Sequence, residues 1–404
     1  MPSDDLLIPE GSLLLHIGPF KTGTTAIQTG FRNAIPVLKE HGVTLVGQNR
    51  RNVRRAVLSV TGNRGLSGDE PPSEALWKNL LADIHRADTP RAVLSSEFLC
   101  DAGKSAATEI VNQIGQGRVH VVVTVRPLAK ILPSAWQQYV RNMLTTPYDE
   151  WLDAMFNRAP YREPTPSFWR RHRHGKLVAK WASIVGPENV SVVVADERDR
   201  DGMIHAFEDL LGLPKATLIP SPDRTNRSLT AAEIELIRQL NLQFQEYGWN
   251  EEVYHKFVRN GVVWRLLRRM PAPDEQRIIT PQWALERAAA AGAKAVHNIQ
   301  HRGVRVIGDP EVLTQIDDAP AGSSRPAELP VDAGVGSIVA LLYRAGLVES
   351  PQDLAADNEE DGPGIATAAE RAARRTVRKF RRWRSRRRAL AVAEAKAGRV
   401  VPKD

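Results

Sequence analysis

The sequence predicts an α/β fold of three layers, with a parallel sheet in the middle. Along the first half of the chain, short apolar runs rich in β-branched residues alternate with longer stretches of helical character. This alternation is typical of parallel strands covered by helices on both faces. The chain has 404 residues, 42% hydrophobic and 25% charged, so it is long enough for one large globular domain with additions.

Four runs have the length and composition of buried parallel strands, since each is short and apolar at successive positions. The predicted strands are residues 12–17, 91–95, 119–125 and 190–194. The stretches beside them favour helices, at residues 23–40, 73–86, 106–114 and 129–144. From residue 230 to 269 the pattern is helical throughout, and a further helix is predicted at 281–301, opened by its proline. We therefore expect helical additions after the α/β half.

Composition divides the chain into three parts. Residues 317–330 and 350–364 are rich in Pro, Gly, Ser and acidic residues, as loops and linkers are. We expect an α/β domain with a helical second half at residues 1–346, a linker at 347–365 and a basic tail at 366–404.

Charge is distributed unevenly between these parts. Residues 370–404 hold 14 Lys and Arg against 3 Asp and Glu, a net charge of +11; the whole chain carries +8, so the preceding 369 residues sum to −3. Attraction to anionic surfaces is therefore expected of the tail and not of the preceding residues. Its apolar side chains recur at steps of three and four, which suits a helix on an anionic membrane surface and equally a disordered, solvated tail. Nothing else in the chain favours nucleic acid.

The remaining composition points to the cytoplasm. No run approaches about 20 uninterrupted apolar residues, so we expect no membrane span. The N-terminus, MPSDDLLIPEG, lacks the basic start and long apolar stretch of a secretory leader. The single cysteine, Cys100, has no disulfide partner and no thiolate cluster that would bind zinc. We expect a cytoplasmic protein, peripheral to a membrane if the tail binds one.

The loop at residues 16–25, HIGPFKTGTT, has the composition of an anion site. A strand that runs into a turn and then a helix directs backbone N–H groups and the helix N-terminus to one point, which attracts an anion. Gly18 and Gly23 allow close approach of the backbone to an anion. Lys21 adds a positive charge, and Thr24 and Thr25 add hydroxyl donors.

A nucleotide triphosphatase loop is the competing interpretation. Its pattern GxxxxGK[ST] places lysine directly after the second glycine, where this chain has Thr24. The glycine spacing is thus P-loop-like, but the charge lies two residues before Gly23, at Lys21. A triphosphatase needs a lysine against the β- and γ-phosphates and a hydroxyl on magnesium, so the shift removes the first of these two features.

The segment HIGPFKTGTTAIQ resembles the 5'-phosphosulfate-binding loop of the sulfotransferase family, in which a Lys-Ser/Thr-Gly-Thr-Thr core follows the first strand. The resemblance covers roughly residues 12–250. It implies an enzyme that uses 3'-phosphoadenosine 5'-phosphosulfate (PAPS), releases adenosine 3',5'-bisphosphate and requires no metal. The early lysine suits this donor, because it can stabilise the charge that develops on the oxygen between phosphorus and sulfur. The implied donor-binding residues of the loop are Lys21, Thr22, Gly23, Thr24 and Thr25.

A second segment carries the same resemblance. The strand at 119–125 ends at Arg126, and Ser134 follows eight residues later. Sulfotransferases carry an arginine and a serine with this separation, which implies that both bind the 3'-phosphate of the donor. A guanidinium fork matches phosphate geometry, and a hydroxyl on the following helix can close over the same group.

The strand at 91–95 supplies the candidate base. Glu97 follows its C-terminal end, the edge at which α/β sheets place their chemistry. An acceptor hydroxyl needs a general base, and sulfotransferases use a His or Glu after this strand, so the resemblance implies that Glu97 is the base. The alternative is a glutamate that caps a helix or pairs with a nearby arginine.

One departure from the family concerns the acceptor. Many cytosolic members have a later Arg-Lys-Gly segment that completes the 3'-phosphate site, and no such string occurs here. Arg227 is the nearest substitute. The absence argues against the branch that acts on small phenols and steroids, so we expect a carbohydrate or glycolipid hydroxyl as acceptor.

Two basic segments have no assigned role. Residues 48–55 (QNRRNVRR) and 169–176 (WRRHRHGK) are expected to be solvated surface, with attraction of an anionic substrate as the alternative. His172 and His174 have a spacing that could chelate a metal, but the surrounding positive charge opposes it.

Two rival functions remain open. A nucleotide-dependent kinase would depend on magnesium and carry an acidic residue after a strand, and the strand at 190–194 does lead to Asp196. A non-catalytic nucleotide-binding protein of the same fold would bind the donor without turnover.

Overall fold

The structure is a computed structural model that describes residues 6–62, 72–199, 201–220, 227–316 and 328–345. These residues all fall within one compact unit, Met1–Val348. The expected linker and basic tail lie outside the described residues, as does most of the loop expected at 317–330.

Six strands in the described residues form one sheet, and every neighbouring pair is parallel. The strands are β1 (Ser12–His16), β2 (Val43–Leu45), β3 (Arg91–Ser95), β4 (Val119–Val125), β5 (Val190–Val194) and β6 (Arg305–Ile307). Their order across the sheet is β2-β3-β1-β4-β5-β6. The predicted α/β class is confirmed, and the four predicted strands are present to within one residue. The edge strands β2 and β6 were not predicted, because three residues are too few to establish a pattern.

Helices account for most of the remaining described chain. They are α1 (Thr24–Asn33), α2 (Ile35–Glu40), α3 (Arg50–Thr61), α4 (Ala75–Arg86), α5 (Lys104–Ile114), α6 (Leu128–Val140), α7 (Tyr148–Phe156), α8 (Phe168–His172), α9 (His174–Val185), α10 (Gly202–Leu211), α11 (Ala231–Glu246), α12 (Glu251–Val253), α13 (Trp264–Arg268), α14 (Gln282–Gln300) and α15 (Val331–Ala345). A π-helical segment, Tyr254–Val263, joins α12 to α13. Short 3₁₀ turns include Glu97–Asp101, directly after β3.

Alternating side chains of the strands separate two cores, one on each face of the sheet. Leu13 and Leu15 of β1 pack with α3, α4, α5 and α9, whereas Leu14 packs with α1, α2 and α10. Because successive side chains of a strand point to opposite faces, this division is the three-layer arrangement. A third core is entirely helical and joins α6, α7, α11, the π-helical segment, α13 and α14.

Several helical predictions need correction at their boundaries. The helix expected at 23–40 is two helices, α1 and α2, separated at Ala34. The helical stretch expected at 230–269 is interrupted after α11 and contains the π-helical segment. Local periodicity does not report such breaks, since both halves keep apolar residues at helical spacing.

The two basic segments differ in exposure, because residues 48–55 are mostly exposed, as expected, whereas residues 169–176 are partly buried. Residues 48–55 open α3, where the Asn49 side chain accepts a hydrogen bond of 3.1 Å from the Asn52 amide. Residues 169–176 end α8 and begin α9, and the rings of His172 and His174 are buried. Arg171 forms an ion pair of 2.6 Å with the buried Asp101, which explains why a segment rich in arginine is packed against the body.

The strand order determines where the predicted site residues meet. In a parallel sheet all strands end at the same edge, and β3, β1 and β4 are direct neighbours. The segments that follow these strands carry Glu97, Lys21 and Arg126 respectively. The fold therefore brings the three predicted segments to one edge of the sheet.

Candidate functional site

The loop after β1 has two residues with left-handed backbone conformations and one glycine without room for a side chain. Lys21 has a φ of 71° and Gly23 a φ of 92°, both in the left-handed region. Few residues other than glycine adopt this region, so the position of Lys21 is one that the surrounding structure imposes. At Gly18, a Cβ atom would lie 2.3 Å from the Thr24 Oγ1 atom and 2.6 Å from the Thr124 Oγ1 atom. The loop thus has no room for a side chain there.

Hydroxyl groups fasten the loop from within. Thr22 Oγ1 donates to the Pro19 carbonyl at 2.7 Å and lies 2.8 Å from Thr124 Oγ1 on β4. Thr24 Oγ1 donates to the Gly18 carbonyl at 3.3 Å. These two threonines, predicted as ligands, therefore use their protons to shape the loop.

Helix α1 begins without a side-chain cap. Its N-cap position is Gly23, which has no side chain to accept hydrogen bonds from the first turn. The first N–H groups of a helix lack partners within the helix and favour an anion. Thr25 lies in this first turn and is partly exposed. The start of α1 therefore has the character of an anion site.

His16 connects the three central strands, a role that the sequence did not indicate. Its Nδ1 atom lies 2.8 Å from Ser95 Oγ on β3, and its Nε2 atom lies 3.3 Å from Thr124 Oγ1 on β4. Burial lowers the pKa of His16 to about 3, and the charge of Glu97 opposes this shift only in part. His16 is therefore neutral at physiological pH and positions its neighbours.

Lys21 carries a charge without an acidic partner. Burial lowers its pKa to about 8, and the positive charges of Arg141 and Arg126 lower it as well. In the described part of the chain, no acidic side chain forms an ion pair with Lys21. A bound anion would relieve this repulsion and restore the charged form.

Arg126 contacts the loop directly. Its Nη1 atom donates to the main-chain carbonyl of Lys21 at 3.2 Å, and its Nη2 atom forms an ion pair with Glu197. Glu197 also lies 3.3 Å from Lys130 Nζ. The structure thus brings Lys21 and Arg126 together, at the ends of the adjacent strands β1 and β4.

Ser134 lies on α6, the helix that follows Arg126. Its hydroxyl donates to the carbonyl of Ile131 at 2.9 Å, a bond within the helix. The hydroxyl oxygen keeps its acceptor capacity, and the proton can rotate to another acceptor. The proton of Ser134 is therefore engaged within α6, and its role as a phosphate ligand stays a prediction.

Glu97 is the first residue of the 3₁₀ turn after β3 and is buried. Its Oε1 atom accepts from Arg50 Nη2 at 2.9 Å, and its Oε2 atom accepts from Gln28 Nε2 at 3.0 Å. Burial raises the pKa of Glu97, but the charge of Arg50 and the hydrogen bonds to the carboxylate outweigh this effect and hold the pKa below its usual range. Glu97 is thus ionised at neutral pH, the form that accepts a proton.

Three arginines near this edge are not among the predicted site residues. Arg54 lies on α3, Arg141 follows the last residue of α6, and Arg259 lies on the π-helical segment. Arg141 lies close enough to Lys21 for its charge to lower the lysine's pKa. Sequence reasoning missed Arg141 and Arg259 because they belong to no local motif. Arg54 lies in the basic segment 48–55, which was expected to be solvated surface, with attraction of an anionic substrate as the alternative.

The structure gives Arg227 a different role from the one expected. Its guanidinium pairs with the buried Glu233 at 2.7 Å and donates to the carbonyls of Leu266 and Arg269. These bonds attach the start of α11 to the end of α13. This corrects the assignment of Arg227 to a phosphate site.

Asp196, which a kinase would use, is also engaged. Its carboxylate accepts from Arg198 through Nε at 3.0 Å and Nη2 at 2.6 Å.

The described residues include no group of three His, Cys, Asp or Glu that could hold a metal ion. Within the same residues, no helix is long and apolar enough to cross a membrane.

This chain shows little similarity to known proteins. No protein-family model matches the chain, and no curated protein matches it. The chain is similar to one solved structure, the sulfotransferase from Alicyclobacillus acidocaldarius, with 14% sequence identity and a TM-score of 0.38 over 60% of this chain and 98% of that chain. At these values the similarity carries no functional argument, and the case for function rests on the site itself.

Proposed function

We propose that this protein is a sulfotransferase that moves a sulfonate group from PAPS to an acceptor hydroxyl. The observation that carries the proposal is the contact between Arg126 and the Lys21 loop beside the uncapped start of α1, with Glu97 following the adjacent strand and hydrogen-bonded to Gln28 of α1. Two cations and a helix N-terminus attract the donor's anionic groups, and a carboxylate at the same edge of the sheet can take a proton.

The residues fit the anionic groups of this donor. The loop N–H groups and Lys21 suit the 5'-phosphosulfate, because Lys21 has no acidic partner within the described residues and is repelled by its neighbours. Arg126 and Ser134 suit the 3'-phosphate, since Arg126 uses only part of its five donors on the loop and Glu197. The donor supplies a sulfonate and a bisphosphate leaving group.

The protein's side chains have separate parts in the transfer. Glu97 accepts the proton of the acceptor hydroxyl, whose oxygen forms a new bond to sulfur as the bond between sulfur and the 5'-phosphate oxygen breaks. The electron pair of the broken bond remains on that phosphate oxygen, and Lys21 stabilises its charge. Arg50 and Gln28 hold the Glu97 carboxylate in place.

The acceptor side of the proposal is a carbohydrate or glycolipid hydroxyl. The absence of an Arg-Lys-Gly segment supports this choice over small phenols and steroids. A cytoplasmic location and attachment to an anionic membrane through the basic tail belong to the same proposal.

A labelled transfer assay tests the proposed reaction. Purified protein is incubated with ³⁵S-labelled PAPS and a panel of glycan and glycolipid acceptors in the presence of a metal chelator. We expect labelled acceptor from wild type and from Lys39→Ala, an exposed control, and none from Lys21→Ala. Transfer of label from γ-³²P-ATP with magnesium, without transfer from PAPS, would instead identify a kinase.

A further inference from the structure

Further cations lie near Lys21, in addition to Arg126. Arg141 lies seven residues after Ser134, which places both on the same face of α6 at a separation of about 10 Å along the axis. The Nε atom of Arg141 is buried and has no hydrogen-bond partner among the described residues. An unpartnered buried donor of this kind is costly unless a ligand satisfies it.

The π-helical segment brings a second cation to the same place. Tyr254 opens this segment, and its hydroxyl donates to the carbonyl of Val140, next to Arg141, at 3.3 Å. Arg259 lies five residues further on, one turn of a π-helix, so it lies on the side of Tyr254. Burial and the charge of Arg259 lower the pKa of Arg141 to about 10, which agrees with their proximity. π-Helical turns are frequent at functional sites.

A third arginine lies beside the proposed base. The guanidinium of Arg54 lies 5.1 Å from the centre of the Phe98 ring, directly beside Glu97. Burial lowers the pKa of Arg259, and the charge of Arg54 adds to this effect. The charges of Arg54 and Arg259 therefore act on one another, as those of Arg259 and Arg141 do.

This group of cations is unfavourable in the absence of a ligand. In the described part of the chain, neither Arg141 nor Arg259 forms an ion pair with an acidic side chain. Partly buried like charges repel one another more strongly than solvated ones. Under the proposed function the donor's anionic groups are assigned to Lys21, Arg126 and Ser134, which leaves these arginines for the acceptor.

We infer that the acceptor is anionic, with a carboxylate, sulfate or phosphate group that Arg259 and Arg141 bind while its hydroxyl faces Glu97. This inference rests on the proposed function and specifies its substrate class. A guanidinium fork matches each of these groups in geometry. A glycan acid and a phosphorylated sugar or lipid headgroup share this chemistry, and the experiment separates them.

Calorimetry with matched oligosaccharides tests the inference on the full-length protein. The protein is first saturated with adenosine 3',5'-bisphosphate and then titrated with two pairs of probes. Chitotetraose and a hyaluronan tetrasaccharide differ in carboxylates, and maltotetraose and its 6-phosphate differ in a phosphate. We expect one anionic probe to bind at least about tenfold more tightly than its neutral partner, and the preferred pair identifies the source of the charge.

Variants identify the residue responsible. Arg259→Gln is expected to lose at least about tenfold in affinity for the anionic probe, Arg259→Lys to lose less, and the exposed Arg86→Gln to match wild type. Bisphosphate affinity and the melting temperature report donor binding and folding in each variant. Equal binding of charged and neutral probes, no binding of either, or an unchanged Arg259→Gln would overturn the inference. If bisphosphate itself fails to bind wild type, the proposed function fails, a separate outcome from these.

Discussion

The guanidinium of Arg126 donates a hydrogen bond of 3.2 Å to the main-chain carbonyl of Lys21. This bond joins the end of β4 to the loop after β1 at the residue that adopts a left-handed conformation. The same guanidinium is paired with Glu197. Arg126 therefore fixes the loop and is held by a carboxylate that competes with any anionic ligand.

Removing this competition is expected to strengthen donor binding. In Glu197→Gln, Arg126 and Lys130 lose the negative charge of Glu197 and therefore attract a phosphate more strongly. Because the pair is partly exposed, we expect a modest gain of about two- to fivefold in affinity for adenosine 3',5'-bisphosphate. Calorimetry measures it, with the exposed Glu74→Gln as control. A weaker affinity in Glu197→Gln would show that Glu197 supports the site by orienting Arg126.

Donor affinity is expected to depend on pH through Lys21. Burial and two arginines lower its pKa to about 8, so Lys21 is charged below pH 8 and neutral above it. An anion binds the charged form, so affinity for the bisphosphate is constant below pH 8 and falls by up to about tenfold per pH unit above it. Titrations between pH 6.5 and 9.5 follow this change, and Lys21→Arg removes the fall, since arginine stays charged. The same decline in Lys21→Arg would assign the titration to another group.

Glu97→Gln separates binding from catalysis. The amide keeps the size of the carboxylate but cannot take a proton, so we expect sulfonate transfer to fall by about 10²- to 10⁴-fold. Bisphosphate affinity should change little, because Glu97 contacts Arg50 and Gln28 rather than the loop. A variant that transfers sulfonate at the wild-type rate would exclude Glu97 as the base and leave it as a structural partner of Arg50.

Gly18→Ala tests the shape of the loop. The added Cβ atom would overlap the hydroxyls of Thr24 and Thr124, which also hold the loop in place. We expect a loss of about 1 to 3 kcal/mol in the free energy of unfolding and a loss of bisphosphate binding. Gly117→Ala is the matched control, because its Cβ would meet open space. Chemical denaturation of both variants decides the point, and equal stabilities would mean that the loop adapts.

The strand ends that carry the site residues were predictable from the sequence, and the resemblance implied that these residues share one site. Lys21, Glu97 and Arg126 each follow a strand that its apolar run reveals, and adjacent parallel strands bring such positions to one edge. Their local motifs lie within a few residues of the strand ends. Sequence reasoning therefore located each residue at a strand end, whereas the order β3-β1-β4 that makes these ends neighbours is a finding of the structure.

The remaining parts of the site depend on contacts between distant segments. Arg50 lies in a segment that is indistinguishable from charged surface until Glu97, 47 residues away, is brought beside it. The position of Arg259 depends on a π-helical segment, and the spacing of apolar residues in the sequence does not distinguish this segment from an α-helix. Arg227 was misassigned for the same reason, because its partner Glu233 is buried only when α11 packs on α13.

Binding of adenosine 3',5'-bisphosphate in the absence of metal tests the central claim most directly. Calorimetry compares wild type, Lys21→Ala and the control Lys39→Ala in a buffer that contains a chelator, and a separate titration with magnesium–ATP is made in a chelator-free buffer. We predict that wild type and Lys39→Ala bind the bisphosphate, that Lys21→Ala loses at least about tenfold in affinity, and that magnesium–ATP binds wild type more weakly than the bisphosphate does. Equal bisphosphate affinity in wild type and Lys21→Ala, or a preference for magnesium–ATP, would contradict the central claim.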